Sequence, residues 1–322
     1  MTPASILPTP GEVREASSRI AGSVLRTPLL HSAELSAVVG GEVYLKLECL
    51  QHGGSFKLRG ALNALLTLPP EARSRGVVAS SAGNHGIGVA IAAAQLGIEA
   101  TIFVPATAPA TKREKIAAHG ARVIATEPNY DAADRAAREF ASTGGATFVS
   151  PCTGRALLAG AGTVALEILE DLPTVATVVV PVGGGGLVGG IGGFIRGTAN
   201  GVRTLGAQSV NTNAMTLALA SGRPTVIPDL PTLCDGLAGL VDAEMLAQGK
   251  AALDGMATVE EADVARAIAW LHRENALRVE GSGAVGIAAL IARVLQMKAF
   301  PVTVIVTGGN IDDTTLNGLT FA

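Results

Sequence analysis

Short runs rich in β-branched residues alternate with helical stretches along most of this 322-residue chain. "GVVASS" is followed by "GNHGIGVAIAAAQLG", "EATIFVP" by "ATKREKIAAHG", and "ATVVVPVG" by a glycine-rich helix. Strands and helices that take turns in this way are typical of parallel sheets covered by helices on both faces. The chain is therefore predicted to be an α/β protein.

The alternating units fall into two groups. Those between about Arg75 and Val149 form a self-contained set, whereas the later ones are longer and more apolar. This indicates a smaller domain, residues 71–149, inserted into a larger one made of residues 1–70 and 150–322. At 48% hydrophobic residues, a chain of this length can bury both cores.

Composition excludes several classes of function. The net charge is -3 and basic runs are absent, which argues against nucleic-acid binding. The start of the chain lacks a basic segment followed by an apolar block, and no run approaches 18 apolar residues, so we expect neither export nor membrane insertion. Cys49, Cys152 and Cys234 are widely spaced and fit neither a disulfide framework nor a zinc site, as is usual in the reducing cytoplasm. A small uncharged or zwitterionic molecule is the expected partner.

The segment "TVVVPVGGGGLVGGIGGF" is a strand that runs into four glycines and then into a helix. Free backbone N–H groups at the positive end of a helix suit a phosphate. Dinucleotide binding is one alternative, because Gly184, Gly186 and Gly189 have the GxGxxG spacing. That fingerprint also requires an acid about 20 residues on, and the next strand ends with Gln208. A tight crossover without a ligand is the other alternative.

Two further polar loops follow predicted strands. "ASSAGNHGIGVA" places Ser80, Ser81, Asn84 and His85 where a helix begins, an arrangement that suits a bound carboxylate, although one of them alone would serve as a helix cap. "VTVIVTGGNID" ends the last strong strand. Because ligands of open α/β sheets bind at the carboxyl ends of strands, we expect the three loops to line one crevice.

Lys57 is an unusual residue in the predicted helix of "QHGGSFKLRGALNALLTLP". Its side chain rises over Gly60, Ala61 and Ala64, with no carboxylate on the next two turns. A lysine in a poorly solvated pocket has its ammonium form disfavoured, and the neutral amine can form an imine with an aldehyde. Pyridoxal 5'-phosphate carries both an aldehyde and a phosphate.

These motifs together resemble the fold-type II pyridoxal-phosphate enzymes, specifically the threonine/serine dehydratase (threonine ammonia-lyase) and serine racemase group. The likeness extends from "RTPLL" through "SFKLRGALNAL", "SSAGNHGIGVA", "VPVGGGGLVGGI" and "RVEGSGAVGIAAL" to "VTGGNID". It implies a tryptophan synthase beta-like fold of two α/β domains, with the cofactor in the cleft between them, and a homodimer.

The resemblance also implies a role for individual residues. Lys57 would form the Schiff base with pyridoxal phosphate and remove the α-proton of the substrate, and Phe56 would lie against the cofactor. Asn84 would contact the 3′-oxygen of the ring, and Thr307 would face its nitrogen. The remaining contacts are Gly183, Gly184, Gly185, Gly186 and Leu187 for the phosphate, Gly236 and Glu280 for the ring edge, and Ser81, Asn84 and His85 for the substrate carboxylate.

The implied reaction converts a β-hydroxy-α-amino acid, threonine or serine, to a 2-oxo acid and ammonia. Alternatives are the dehydration of another hydroxylated substrate (hydroxyectoine-derived, 3-hydroxyaspartate or phenylserine), serine racemization and, remotely, an NAD-binding oxidoreductase. Because the chain ends at Ala322, we expect no regulatory domain and no feedback control by isoleucine.

The chain departs from the family pattern at three places. Ala82 replaces the second serine of serine racemases, so we expect weak racemization. The metal site of the racemase falls on Gln208, Thr212 and Ala214, which lack its acids, so we expect no metal there. "SPCTGR" replaces the usual "HP-x-D-D/E-P" and leaves the side-chain specificity open. Its Arg155 is either a substrate contact or, as we expect, a surface charge.

Overall fold

Two separate sheets organise the chain, which we describe from a computed structural model covering residues 6–199, 201–295 and 297–320. The strands are β1 (Leu29–His31), β2 (Val43–Lys46), β3 (Val77–Ser80), β4 (Ala100–Pro105), β5 (Arg122–Glu127), β6 (Thr147–Phe148), β7 (Thr177–Pro181), β8 (Arg203–Ser209), β9 (Gly255–Val259) and β10 (Val302–Ile305). The expectation that the chain starts without an export signal rests in part on residues 1–5, which lie outside the described residues.

Helices connect most of the strands. They are α1 (Pro10–Ile20), α2 (Ala33–Val39), α3 (Lys57–Leu66), α4 (Pro70–Ser74), α5 (Asn84–Leu96), α6 (Ala110–Ala117), α7 (Tyr130–Gly144), α8 (Arg155–Asp171), α9 (Gly186–Thr198), α10 (Ala214–Ser221), α11 (Ala243–Ala252), α12 (Glu261–Asn275), α13 (Gly281–Ile291) and α14 (Asp313–Thr320). None of the helices in the described ranges is long and apolar enough to cross a bilayer.

The larger sheet has six strands in the order β1-β2-β10-β7-β8-β9, and only β1 runs antiparallel to its neighbour. The smaller sheet has four parallel strands in the order β5-β4-β3-β6. Both sheets are covered by helices, as the buried apolar runs of their central strands require. The prediction of an α/β protein is confirmed.

The smaller sheet takes all its strands from residues 77–148, and the larger sheet takes its strands from the chain on either side. Helix α3 packs on the smaller unit, because Leu58, Leu62 and Leu65 share a core cluster with Val77 and Ile102. The division into residues 71–149 and the two flanking ranges stays a prediction. Helix α3 lies outside 71–149 in sequence but packs on the smaller unit.

A buried group of charges holds α3 against the larger unit. Arg59, 1% exposed, donates to both oxygens of Glu48, from Nε and Nη2 at 2.8 Å each. Its Nη1 donates to Glu167 Oε1 at 2.6 Å, and Lys46 Nζ donates to Glu167 Oε2 at 2.6 Å. Two cations and two carboxylates thus neutralise each other where α3, β2, α8 and the turn after β2 meet. Each charge has partners, as burial demands.

We predict that Arg59→Met lowers the free energy of unfolding by about 3–5 kcal/mol, because it leaves Glu48 and Glu167 short of a buried partner. Urea denaturation measures the change. Arg266→Met is the matched control, since Arg266 pairs with Asp263 on an exposed helix face and should change stability by less than about 0.5 kcal/mol. Equal effects of the two substitutions would contradict the role of the buried group.

Candidate functional site

Lys57 begins helix α3, and its amine reaches the chain segment that connects the two sheets. Its Nζ donates to the carbonyl oxygen of Pro151 at 3.0 Å and lies 5.2 Å from the centre of the Phe56 ring. Within the described ranges, no carboxylate lies close enough to form an ion pair with it. The amine is therefore held by a neutral carbonyl group, as expected of a lysine without a carboxylate on its own helix.

The glycine loop connects β7 to α9 and leaves the first amides of α9 without a side-chain cap. Gly185 is the N-cap residue and has φ +92°, a conformation that favours glycine. A Cβ at Gly184 would lie 2.6 Å from Cys152 Sγ, and one at Gly186 would lie 3.0 Å from Cys152 Cα. Side chains would therefore crowd the loop, and the glycines keep its N–H groups open to an anion. This cradle fits the phosphate of pyridoxal phosphate.

The loop and Lys57 meet at Pro151. The same carbonyl oxygen that accepts from Lys57 Nζ would lie 3.2 Å from a Cβ at Gly186. The loop could therefore hold the phosphate of pyridoxal phosphate, and Lys57 could supply the amine that reacts with its aldehyde. The structure brings the two strongest predicted elements of the site together.

Helix α5 presents a second uncapped N-terminus. Its N-cap residue is Gly83, whose own N–H donates to Ser81 Oγ at 3.2 Å, and neither Ser81 nor Asn84 caps the first turn. The helix-cap alternative for this loop is therefore wrong. Gly88, one turn further along α5, packs so closely on Lys57 that a Cβ there would lie 3.1 Å from the lysine carbonyl carbon. The backbone of Lys57 thus packs directly on α5, whose uncapped first amides could hold a substrate carboxylate.

His85 is buried and uncharged in this arrangement. Its Nε2 lies 2.9 Å from the carbonyl oxygen of Val149, which only accepts, so Nε2 carries the proton. Burial and, to a smaller extent, the nearby charge of Lys57 lower the pKa of His85 to about 3, against the opposing effect of the hydrogen bond to Val149. Because Nδ1 of the neutral ring is then an acceptor, the ring cannot donate to a carboxylate. The substrate-binding role of His85 stays a prediction and falls to its backbone N–H.

Asn84 and Glu280, far apart in sequence, are hydrogen-bonded. Asn84 Nδ2 donates to Glu280 Oε1 at 2.6 Å, and Asn310 Nδ2 donates to Asn84 Oδ1 at 2.7 Å and to the Gly53 carbonyl at 2.8 Å. Asn310 thereby fixes which side of the Asn84 amide faces Glu280. It was not among the predicted site residues, although the motif "VTGGNID" contains it.

The carboxyl group of Glu280 interacts electrostatically with an ion pair that connects the two units. Burial and, to a smaller extent, the charge of Asp235 raise the pKa of Glu280 to about 7, while the Asn84 hydrogen bond and the charges of Lys112 and Lys57 act against the rise. Lys112, on α6 of the smaller unit, donates to Asp235 Oδ2 at 2.8 Å. The ion pair connects the two units beside Gly236, which follows Asp235.

Ser282 joins two predicted ring contacts. Thr307 is buried, and its hydroxyl lies 3.4 Å from the carbonyl oxygen of Ser282, whose own Oγ accepts from Gly236 N at 3.0 Å. Phe56 N donates to the carbonyl oxygen of Thr307 at 3.2 Å. Phe56, Gly236 and Thr307 are thus neighbours. Ser282 was missed, although the motif "RVEGSGA" includes it.

Gln208 lies where we expect neither a metal nor a ribose to bind. Its side-chain amide forms hydrogen bonds within the protein. Its Nε2 donates to the Thr212 carbonyl at 2.8 Å, and its Oε1 accepts from Thr216 N at 3.0 Å. The part of the chain that the structure describes contains no group of three or more His, Cys, Asp or Glu residues placed to hold a metal ion. The absence of a metal stays a prediction.

Arg155 lies on the surface. It donates to Glu12 Oε2 at 2.8 Å, and its side chain is 43% exposed. This agrees with its interpretation as a surface charge.

Comparison with known proteins gives consistent matches. The family described as pyridoxal-phosphate dependent enzyme matches residues 20–312, a range that includes every strand of both sheets. L-threonine ammonia-lyase of Thermotoga maritima is 44% identical over 305 residues, 94% of this chain and 75% of that protein. Maize serine racemase superposes with a TM-score of 0.93 at 31% identity, over 98% of this chain and 97% of that one. The processed form of threonine deaminase isoform 2 from Solanum lycopersicum gives 0.89 at 31% identity, over 97% and 93%.

We predict opposite shifts of the Glu280 pKa when the two members of the bridge are replaced singly. Asp235→Asn should move the pKa below 7, because a like charge is removed, and Lys112→Met should move it above 7, because an opposing cation is lost. Carbon-13 NMR titration of labelled glutamate in cofactor-free protein, assigned with Glu280→Gln, measures both. Shifts in the same direction, or none in Asp235→Asn, would contradict the electrostatic coupling.

Proposed function

The chain belongs to the pyridoxal-phosphate-dependent enzymes of fold type II, and from this premise we propose that it is an ammonia-lyase that converts threonine or serine to a 2-oxo acid and ammonia. The observation that carries the proposal is the position of Lys57, whose amine meets the uncapped glycine turn of α9 at Pro151 and whose backbone packs on Gly88 of α5, a helix that also begins without a cap. The named threonine ammonia-lyase and threonine deaminase relatives support the same reaction class. The dinucleotide alternative is not retained.

In the proposed reaction, one end of the cleft binds the cofactor phosphate and the other binds the substrate carboxylate. Bound pyridoxal phosphate supplies an electron sink for negative charge at the substrate Cα. The backbone N–H groups of Gly183, Gly184, Gly185, Gly186 and Leu187 hold its phosphate. The first amides of α5 and the hydroxyl of Ser81 hold the substrate carboxylate, which fixes the Cα–H bond relative to the lysine.

Lys57 performs the proton transfer. As the free amine, its Nζ would take the proton from Cα, and the β-hydroxyl of the substrate would take up one proton and leave as water. Hydrolysis of the released enamine would then give the 2-oxo acid and ammonia. The carbonyl of Pro151, its partner at 3.0 Å, orients the amine without supplying a charge that would hold the proton on it. The hydroxyl of Thr307, rather than a carboxylate, is the group proposed to face the ring nitrogen, so the ring is only a modest electron sink. This suffices when a hydroxyl leaves quickly.

Racemization of serine is a second candidate, because serine racemase from maize shares the fold over nearly the whole chain. A racemase needs a second group that delivers a proton to the face opposite the lysine. Ala82 follows Ser81 at the position proposed for that group, and its methyl side chain cannot transfer a proton. Elimination is therefore favoured over racemization, and dehydration of another β-hydroxy-α-amino acid stays open as a variant of the same chemistry.

We also propose a cytoplasmic homodimer. The three cysteines are unpaired in the structure, which suits a reducing compartment. Leu25, Leu30 and Leu50 are each more than 40% exposed, and Leu30 lies on β1, the outermost strand of the larger sheet. Gln51, the residue after Leu50, hydrogen-bonds through its side chain to both backbone groups of Leu25. This apolar edge suits contact with a second copy.

We predict that the protein releases 2-oxobutyrate from threonine and pyruvate from serine, and that Lys57→Ala lowers the rate by about 10²–10⁴-fold, since the proton acceptor is removed. A coupled assay of 2-oxo acid release measures both. Lys115→Ala, which removes an exposed lysine of α6, is the control and should leave the rate unchanged.

Chiral analysis of the same serine reactions separates the two candidates. D-serine should accumulate far more slowly than pyruvate. Normal elimination by Lys57→Ala would overturn the mechanism, and D-serine formation faster than elimination would overturn the choice of reaction.

We predict that sedimentation equilibrium gives twice the mass of one chain, and that Leu50→Glu shifts the protein toward the monomer by placing a charge in the apolar edge. Leu217→Glu is the control, because Leu217 is equally exposed but lies on α10, near β9 at the opposite edge of the sheet. A single-chain mass for the unmodified protein would contradict the dimer.

A further inference from the structure

Gln248, on α11, is a fully buried amide whose two polar atoms are unbonded. Its exposure is 0%, and neither Oε1 nor Nε2 has a hydrogen-bond partner in residues 6–199, 201–295 and 297–320. A buried amide with neither group bonded destabilises a fold, and buried polar side chains are nearly always paired. The presence of this unbonded amide in the interior indicates that a ligand hydrogen-bonds to it.

The side chain of Gln248 lies against the glycine loop. A Cβ at Gly185 would lie 3.5 Å from Gln248 Oε1, and one at Gly189 would lie 3.6 Å from it. Gly185 is the N-cap residue of α9, and Gly189 is one turn inside that helix. The other atoms around Gly185 belong to the methyl group of Met215 and the backbone of Met245. The amide of Gln248 is thus directed at the turn whose N–H groups form the anion cradle.

The amide can present a donor to this turn. Rotation by 180° exchanges the oxygen and nitrogen of a glutamine side chain without changing its shape, so either atom can face the loop. A phosphate accepts hydrogen bonds through all its oxygens, and a neutral donor supports it without adding a buried charge. The uncapped N-terminus of α9 and an unbonded buried amide aimed at it are independent observations that indicate the same ligand.

We propose that Gln248 is a side-chain member of the phosphate cradle, and that its amide N–H donates to the cofactor phosphate directly or through one water. The inference concerns how the cofactor is held and does not depend on the proposed reaction. It can therefore be tested by binding alone, and it stands or falls separately from the ammonia-lyase activity.

The test compares Gln248→Met and Gln248→Glu in the full-length protein. Methionine keeps the length of the side chain but cannot donate, and glutamate places an anion beside the phosphate. Affinities for pyridoxal phosphate and for pyridoxal, which lacks the phosphate, are measured by visible absorbance on the cofactor-free protein. Phosphorus-31 NMR of the bound cofactor and thermal unfolding without cofactor complete the set.

Gln248→Met should weaken the binding of pyridoxal phosphate about 10-fold or more, the usual effect of one hydrogen bond to a charged group. It should leave pyridoxal affinity within about twofold. The melting temperature without cofactor should not fall, because the amide has no partner in the folded chain. Gln248→Glu should weaken pyridoxal phosphate further and move its phosphorus resonance.

Gln208→Met is the matched control, since Gln208 is also 0% exposed but bonds to Thr212 and Thr216. It should lower the melting temperature and leave the preference for pyridoxal phosphate over pyridoxal unchanged. If Gln248→Met binds pyridoxal phosphate as tightly as the unmodified protein, or loses both ligands equally, Gln248 is a packing residue and the proposal is overturned.

Discussion

The position of the reactive lysine depends on the buried ion pairs that the guanidinium of Arg59 forms. Arg59 follows Lys57 by two residues, which corresponds to about 200° around a helix, so the two side chains leave α3 in nearly opposite directions. Glu48 and Glu167 hold Arg59 through four hydrogen bonds in a fully buried place. Because α3 cannot turn about its axis without breaking them, the amine on its other side is fixed toward Pro151.

Backbone groups, more than charged side chains, create the anion sites around this lysine. Helices α5, α9 and α13 all begin at the site, and none of them has a side-chain cap in the described chain. Helices α1 and α2 begin with capping side chains from Thr9 and Ser32, whereas α6 and α12, like the helices at the site, do not. Leaving donors open is costly unless a ligand or water binds them. What sets α9 and α5 apart is their nearness to Lys57, and their open N–H groups suit one molecule with a phosphate and another with a carboxylate.

The features of the fold that depend on local chemistry could be predicted from the sequence. The apolar runs identified β3, β4, β7, β8 and β10, and the glycines identified the turn before α9. Three strands are not indicated by such runs: β1 and β6 have only three and two residues, and β1 and β9 are the edge strands of the larger sheet. Such strands exist because a neighbour offers hydrogen bonds, and their own sequences carry little signal.

The site residues that were not predicted were missed for the same reason, because neighbours distant in sequence determine their roles. Asn310 and Ser282 act through partners that lie far away in the chain, as Asn84 does with Glu280, 196 residues on. The place of Gln248 beside the glycine loop likewise depends on how α11 packs on α9. The buried ring of His85 is another case, because its bond to Val149 depends on how α5 packs on the smaller sheet. Motifs indicate which residue types approach a ligand, but only tertiary contacts decide which of their atoms remain available.

The central claim is that one amine, Lys57 Nζ, holds the cofactor's aldehyde while the glycine turn holds its phosphate. Reduction of the holoenzyme with borohydride, followed by protease digestion and mass spectrometry, tests it most directly. We expect a phosphopyridoxyl group on the peptide that contains Lys57 and on no other lysine. The same group on Lys46 or Lys112, with Lys57 unmodified, would contradict the account.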